Sequence, residues 1–141
     1  MTDGLLVTEV ARACGVSADT IRHYERKGVI PAAERGENGY RRYPPRTIEI
    51  VSRARRALAL GFTLDELARL FRQRAAGRPP CREVRALAAG KLEQLDVRIA
   101  SLLALREELR GLIEIWDARL AATPAGEPAL LLERLDIRRN E

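Results

Sequence analysis

Residues 16–28, VSADTIRHYERKG, decide how the N-terminal half of the chain is interpreted. Ser17 is a favoured helix N-cap because its hydroxyl can accept a hydrogen bond from an unpaired backbone N–H of the first turn. Gly28 can adopt the left-handed backbone that ends a helix. A shorter helix is predicted to begin near Thr8, and Gly15 permits a tight turn between the two. Two short helices joined in this way are typical of a helix-turn-helix.

A small two-stranded wing is predicted after these helices. The dipeptide Asn38-Gly39 is a strong signal for a hairpin turn because both residues tolerate a positive φ. Two more helices follow, at about residues 46–59 and 64–74. The second of these begins at Thr63 with a glutamate three residues later, which is the pattern of a capping box.

The last long element starts near residue 81 and carries an apolar residue alternately every four and every three positions. This spacing is typical of a two-stranded coiled coil, and Arg106 is the one position in the seam that breaks it. About 40 residues of helix cannot bury such a seam against so small a domain, so a second copy of the chain is the simplest partner. The alternative is a long helix that folds back onto its own domain. The predicted dimerisation residues are Leu92, Leu95, Ile99, Leu102, Leu109, Ile113 and Trp116.

These elements predict a mostly α-helical chain in three parts. Residues 1–76 form a winged helix-turn-helix domain, residues 77–120 form a linker and a coiled-coil helix, and residues 121–141 form a loop, a short helix at about 129–135 and a tail.

Charge and composition narrow the function classes. The first 80 residues carry 15 Lys and Arg against 9 Asp and Glu, whereas the remainder has a net charge of −1. A basic half joined to a near-neutral half favours a domain that binds a polyanion. The chain shows no apolar run near the roughly 18 to 20 residues that span a bilayer, and its N-terminus lacks the pattern of an export signal. We therefore expect a cytoplasmic protein without a membrane partner.

Three stretches carry a family resemblance: VSADTIRHYERKG at 16–28, GYRRYP at 39–44 and ALGFTLDEL at 59–67. In this order, followed by a long dimerisation helix, they resemble the MerR family of transcriptional regulators. The resemblance implies a winged DNA-binding domain, an antiparallel coiled-coil homodimer and an effector site near the far end of the long helix. It also implies binding to an inverted repeat in double-stranded promoter DNA whose spacer is unusually long. Effector binding would then bend and untwist this spacer so that RNA polymerase can engage both promoter elements.

The resemblance also implies which residues contact DNA. A recognition helix in the major groove must present side chains that reach base edges and phosphates, and a wing supplies further contacts to the backbone. His23 stands where the family more often has an aromatic residue. The implied DNA-binding residues are Ser17, Thr20, Arg22, His23, Tyr24, Tyr40, Arg41 and Arg42.

The effector is left open by the sequence. Cys81 matches the first metal ligand of the heavy-metal branch of the family, but the other two ligand cysteines are absent. Cys81 is therefore interpreted in three ways: a structural or vestigial thiol, a redox- or electrophile-sensing thiolate assisted by Arg82 and Arg85, or a ligand for a thiophilic metal ion completed by other donors. No cofactor is certain. Trp116 is either a core residue of the seam or part of an apolar pocket for an organic ligand.

Other function classes fit less well. An enzyme is disfavoured because the single histidine, His23, lies in the predicted recognition helix and no catalytic constellation accompanies it. A coiled-coil adaptor that never touches DNA is a further alternative, which loss of sequence-specific DNA binding in Arg22→Ala and Arg41→Ala would exclude. A regulator that has lost its effector site remains an alternative to an effector-gated one.

Overall fold

The computed structural model describes residues 4–135. Within this range the fold is mostly helical, as predicted, with five α-helices, one two-stranded antiparallel sheet and one 3₁₀ turn. The elements are α1 (Val7–Cys14), α2 (Ala18–Lys27), β1 (Glu34–Arg35), β2 (Arg41–Arg42), α3 (Thr47–Ala59), α4 (Leu64–Ala75), α5 (Cys81–Ala122) and the 3₁₀ turn Leu132–Arg134. The predicted tail at 136–141 lies outside the described residues.

The chain divides into two compact units, Met1–Leu92 and Glu93–Glu141. The first unit contains α1 to α4, the wing and the start of α5. The second contains the rest of α5 and the C-terminal segment. The three-part division at residues 76 and 120 stays a prediction.

The core of the first unit is built from one apolar face of each short helix and from the end of the wing. Ile21 of α2 and Val51 of α3 are fully buried in it. Thr47 is also fully buried, and its hydroxyl has no hydrogen-bond partner among the described residues. The fully buried side chains of this core are Val10, Ile21, Val29, Tyr43, Thr47 and Val51.

The helix ends confirm most of the capping predictions. The Ser17 hydroxyl accepts the Thr20 N–H at 3.1 Å, and Gly28 takes the left-handed conformation at the end of α2. α1 begins at Val7, within one residue of the predicted start near Thr8, and its N-cap is Leu6. The Glu9 carboxylate accepts the N–H of Leu6, which satisfies the first turn without a hydroxyl cap.

The wing is shorter than a full hairpin, and its turn differs from the prediction. Gly39 has φ +78, whereas Asn38 does not have a positive φ. The Gly39 N–H donates to the Gly36 carbonyl and the Gly36 N–H donates to the Tyr40 carbonyl, which gives a longer loop than a two-residue turn. A single left-handed residue is enough in such a loop, so only the glycine is used in that way.

The N-terminal segment adds to the wing. Leu5 and Tyr43 exchange two backbone hydrogen bonds, at 2.7 and 2.8 Å. Gly4 next to it admits no side chain, because a Cβ there would lie 2.5 Å from the Cβ of Arg42. These contacts attach the end of the wing to the segment that precedes α1.

The long helix α5 begins at Cys81, as predicted, and extends to Ala122, so it is 42 residues long. None of its residues is buried within the single chain. The predicted helix at 129–135 is wrong in extent: only the turn Leu132–Arg134 forms, because Leu130 has φ +55, which a right-handed helix cannot contain. The Arg119 guanidinium donates to the Ala129 carbonyl and holds this segment against the end of α5.

Candidate nucleic-acid interface

The turn between α1 and α2 sets the position of the candidate recognition helix. Gly15 has φ +68 and follows α1 directly, and the Val16 N–H returns to the Ala11 carbonyl at 3.0 Å. The guanidinium of Arg55 on α3 donates to the Cys14 carbonyl at 2.6 Å, which satisfies another acceptor at the end of α1. These contacts fix the direction in which α2 begins after the turn.

One face of α2 is buried and the opposite face is exposed. Ile21 and Tyr24 pack into the core, whereas Arg22 and His23 are exposed. Tyr24 was predicted to contact DNA, but its side chain is only 6% exposed. Tyr24 lies three residues after Ile21, on the same buried face of α2, where it packs into the core.

The hydroxyl groups of Ser17 and Thr20 lie together at the start of α2, 2.9 Å apart. Both are engaged in the helix cap, and Thr20 is partly buried. Arg22 follows one turn from Asp19 and pairs with it at 3.0 Å. Because Asp19 is 93% exposed, this ion pair is weak and leaves the guanidinium available to another anion.

Glu25 joins α2 to the wing and was not identified from the sequence. Its carboxylate is only 8% exposed. It accepts hydrogen bonds from the Arg41 guanidinium at 2.6 Å and from the Ala33 N–H at 3.0 Å, and a third from the Tyr43 hydroxyl. Three donors, one just before β1, one in β2 and one just after β2, therefore converge on one side chain of α2.

This arrangement also affects Tyr43. Burial of the phenol, together with its hydrogen bond to Glu25, raises the pKa of Tyr43 to about 12. The hydroxyl therefore remains protonated and donates at any physiological pH. Glu25 acts as a positioning residue for the wing, since each of its contacts is with the protein itself.

The two arginines of the wing point to different surroundings. Arg41 turns to α2, where it shares a surface depression with Arg22 and Tyr40. Arg42 turns the other way and donates to the Gly4 carbonyl at 3.2 Å. Successive residues of a strand alternate in direction, so only one of the pair can face the recognition helix.

A second depression adds a residue that the sequence prediction omitted. Arg26 lines it together with Arg22 and Arg41. Its spacing of four residues from Arg22 places both on one face of α2. The structure thus brings together three guanidinium groups and the phenol of Tyr40 between α2 and the wing. An exposed group of cations of this kind is suited to binding phosphates.

Two ion pairs within the first unit connect α4 to the start of α5. Lys91 pairs with Glu66 at 2.7 Å, and Arg69 pairs with Glu83 at 2.7 Å. The ammonium of Lys91 also lies 5.3 Å from the ring centre of Phe62. The hydrogen bond from Lys91, followed by the capping contact with Thr63, lowers the pKa of Glu66. The predicted capping box at Thr63 and Glu66 is thus confirmed and is extended to α5.

The two cysteines differ in environment. Cys14 is buried, and this burial raises the pKa of its thiol. Cys81 is exposed at the first residue of α5. Over residues 4–135, no group of three or more His, Cys, Asp or Glu side chains is placed to hold a metal ion. In the same range no helix is both long and apolar enough to cross a membrane.

Comparison with known proteins agrees with this architecture. Residues 7–43 match the model of the MerR family regulatory protein, and residues 48–112 match the MerR DNA-binding model. The mercuric resistance operon regulatory protein of Bacillus cereus is 36% identical over 77% of this chain and 82% of its own length. A helix-turn-helix transcriptional regulator of Synechocystis is 31% identical over 93% of this chain and 96% of its own.

A solved structure gives the same result at the level of the fold. The transcription regulator PbrR691 of Ralstonia metallidurans CH34, in complex with lead(II), matches with a TM-score of 0.72 and 27% identity. The match covers 92% of this chain and 98% of that protein. The helix-turn-helix, the wing and the long helix, together with these two family models, show that the chain belongs to the MerR family of DNA-binding transcriptional regulators.

Proposed function

We propose that this regulator works as a homodimer that binds an inverted repeat in double-stranded promoter DNA and distorts the promoter spacer in response to an effector. RNA polymerase would then engage both promoter elements. The observation that supports the dimer is the apolar seam of α5, none of which is buried in one chain. Its predicted members, apart from the partly buried Trp116, are each between 45% and 59% exposed.

A helix of 42 residues with such a seam is unstable as a free element in water, because apolar area of this size is normally removed from solvent. A second copy would place the same seam against it. Two recognition helices would then be presented together, which matches the symmetry of an inverted repeat.

In the proposed complex, the exposed face of α2 enters the major groove. Arg22 and His23 are the exposed side chains of this face that can reach base edges. Arg26, Tyr40 and Arg41 lie beside them and would contact the phosphate backbone. Ser17 and Thr20 at the start of α2 complete the proposed interface, whereas Arg42 is engaged with the N-terminal segment.

The donor set of this chain does not fit a metal site of the family type. Cys81 is the only exposed thiol among the described residues, and a single thiolate binds a soft ion weakly without further donors. Cys81 is exposed at the first residue of a long helix, beside Arg82 and Arg85, where a thiol-reactive compound can reach it. This placement supports a thiol-dependent response. The missing donors support an effector-independent regulator as the second candidate.

One experiment distinguishes the thiol-dependent regulator from the effector-independent one. In-vitro transcription from the regulator's own promoter is measured with and without Hg(II) and with a thiol-alkylating reagent. For a thiol-dependent response, the change in transcription caused by Hg(II) and the change caused by the alkylating reagent both disappear in Cys81→Ser. Both changes persist in Cys14→Ala, which is the matched control because Cys14 is buried. A transcription level that is unchanged by every addition, with operator binding intact, would leave the effector-independent regulator as the function.

A further inference from the structure

The last residue of α1 is held by α3 at two points. The carbonyl of Cys14 accepts a hydrogen bond from the guanidinium of Arg55 at 2.6 Å. The thiol of Cys14 is buried and lies 3.8 Å from the carbonyl oxygen of Ile48, to which it is a weak donor. Ile48 and Arg55 lie about two turns apart on one face of α3. The end of α1 is therefore fixed along this face.

The contact with Arg55 satisfies an acceptor that a helix cannot satisfy by itself. The last carbonyl groups of a helix have no partner within the helix, and the helix dipole favours a cation near them. Gly15 follows Cys14 directly and has φ +68, which ends α1 at this point. None of the ion pairs among residues 4–135 involves Arg55. Its charge is therefore directed to the end of α1 and not to a carboxylate.

The carbonyl that Arg55 holds is close in sequence to the start of α2. Only Gly15 and Val16 separate Cys14 from Ser17, which caps α2. The Val16 N–H donates back into α1, and the hydroxyl of Ser17 accepts a backbone N–H of the first turn of α2. The backbone between these contacts has little freedom. A displacement of the end of α1 is therefore passed on to the orientation of α2.

We propose that Arg55 is a positioning residue for sequence recognition, because it sets the orientation of α2 in the major groove. This inference rests on the proposed function, in which Arg22 and His23 reach base edges. Hydrogen bonds to base edges weaken steeply with distance and angle, so a small rotation of α2 reduces them. Contacts with phosphates depend mainly on charge and tolerate such a rotation better. Loss of the Arg55 contact therefore reduces discrimination between sequences more than the affinity for DNA in general.

Three variants of α3 test this role. Arg55→Met keeps an unbranched side chain but removes the charge and the hydrogen-bond donors. Arg55→Lys restores a charged donor and is the rescue variant. The control is Arg53→Met, which removes the same charge from the opposite side of α3, where Arg53 is 65% exposed and pairs with Glu49 of its own helix.

The first measurement concerns DNA. The native full-length protein selects duplexes from a random pool, and fluorescence anisotropy then gives the affinity for the selected duplex and for a scrambled duplex of the same composition. We expect Arg55→Met to lower the ratio of these affinities about tenfold, within the range that one base contact contributes. The dependence of affinity on salt concentration should not change, because no phosphate contact is lost. Arg53→Met should keep the native ratio, and Arg55→Lys should restore most of it.

The second measurement is hydrogen exchange of the free protein. Because no DNA is present, it does not depend on the proposed function. The N–H of Val16 lies in the turn that Arg55 holds, whereas Val51 is fully buried in the core. We expect the Val16 amide to exchange about tenfold faster in Arg55→Met than in the native protein, and the Val51 amide to change little. A variant that was only less stable as a whole would exchange faster at both positions.

Each measurement can overturn the proposal. Equal exchange at Val16 in the native protein and in Arg55→Met would show that Arg55 does not hold the turn. An equal loss of affinity for both duplexes, with a weaker dependence on salt, would identify Arg55 as a phosphate contact instead. If the native protein selects no sequence, the proposed function fails and the role in sequence recognition fails with it. The exchange rates would still show in that case whether Arg55 holds the turn.

Discussion

Three hydrogen-bond donors converge on the carboxylate of Glu25, so a substitution at this residue should lower the stability of the fold. In Glu25→Gln the shape of the side chain is kept, but the charge that faces Arg41 is lost. The amide oxygen can still accept from the Ala33 N–H, whereas the amide N–H₂ group now faces the hydroxyl of Tyr43, which donates to Glu25 in the native protein. At least one of the three hydrogen bonds must therefore break or reverse.

The expected magnitude follows from burial. The Glu25 carboxylate is only 8% exposed, whereas the side chain of Arg41 is 56% exposed and recovers much of its hydration. A hydrogen bond to a charged group contributes about 1.5 to 3 kcal/mol, so we expect Glu25→Gln to lower the free energy of unfolding by about 2 kcal/mol. With a urea m-value of about 1 to 3 kcal/mol/M, the unfolding midpoint falls by roughly 1 M.

The assay is urea unfolding followed by circular dichroism, at one fixed protein concentration because the proposed dimer would contribute to stability. The control is Asp19→Asn on the same helix. It also removes a carboxylate paired with an arginine, but that carboxylate is 93% exposed. We expect the control to change stability by less than about 0.5 kcal/mol. Equal midpoints for the two variants would refute the argument that burial of Glu25 holds the wing to the recognition helix.

Three further predictions concern association, DNA binding and pH. Leu102→Asp places a charge in the seam of α5 and should convert the dimer to monomer and abolish operator binding; an intact dimer in sedimentation would show that the seam is wrongly assigned. Arg22→Ala should weaken operator binding by about 1 to 3 kcal/mol and relax sequence preference, as measured by gel shift on matched and mutated half-sites, and an equal loss on every sequence would instead indicate a phosphate contact. Lys91→Met should be less stable than the native protein at neutral pH. Since the pKa of Glu66 is lowered in the folded state, this difference should shrink as pH falls through that lowered pKa, and a difference that is independent of pH between neutral and acid would contradict it.

Local signals in the sequence predicted the helices well. Ser17 with Gly28, and Thr63 with Glu66, mark helix ends through contacts within a few residues, and the structure contains them where they were expected. The start of α1 was predicted to within one residue, but its first turn is capped by the carboxylate of Glu9 and not by a hydroxyl. The alternation of apolar residues predicted the extent of α5 because that pattern is also local.

The features of the site that were not predicted from the sequence depend on contacts between residues that are distant in sequence. Glu25 meets its donors 8, 16 and 18 residues later, and no periodicity connects these positions. The opposite directions of Arg41 and Arg42 follow from the strand, but which of the two faces α2 depends on where the N-terminal segment attaches. Tyr24 could have been recognised as a packing residue from its spacing to Ile21, but the family resemblance favoured a DNA contact. Whether the predicted residues touch DNA stays a prediction.

The charged position in the seam of α5 has a consequence for how subunits choose one another. Arg106 interrupts the apolar spacing, and its contact within the chain is a 3.5 Å ion pair with the adjacent Glu107. A polar residue at one seam position tolerates only those partners whose matching position can accommodate its charge. In a cell that makes several regulators with similar helices, this arginine would disfavour mixed pairs whose seams are apolar throughout. In the proposed complex each half-site is bound by one subunit of the dimer, so each promoter would then respond to one kind of regulator.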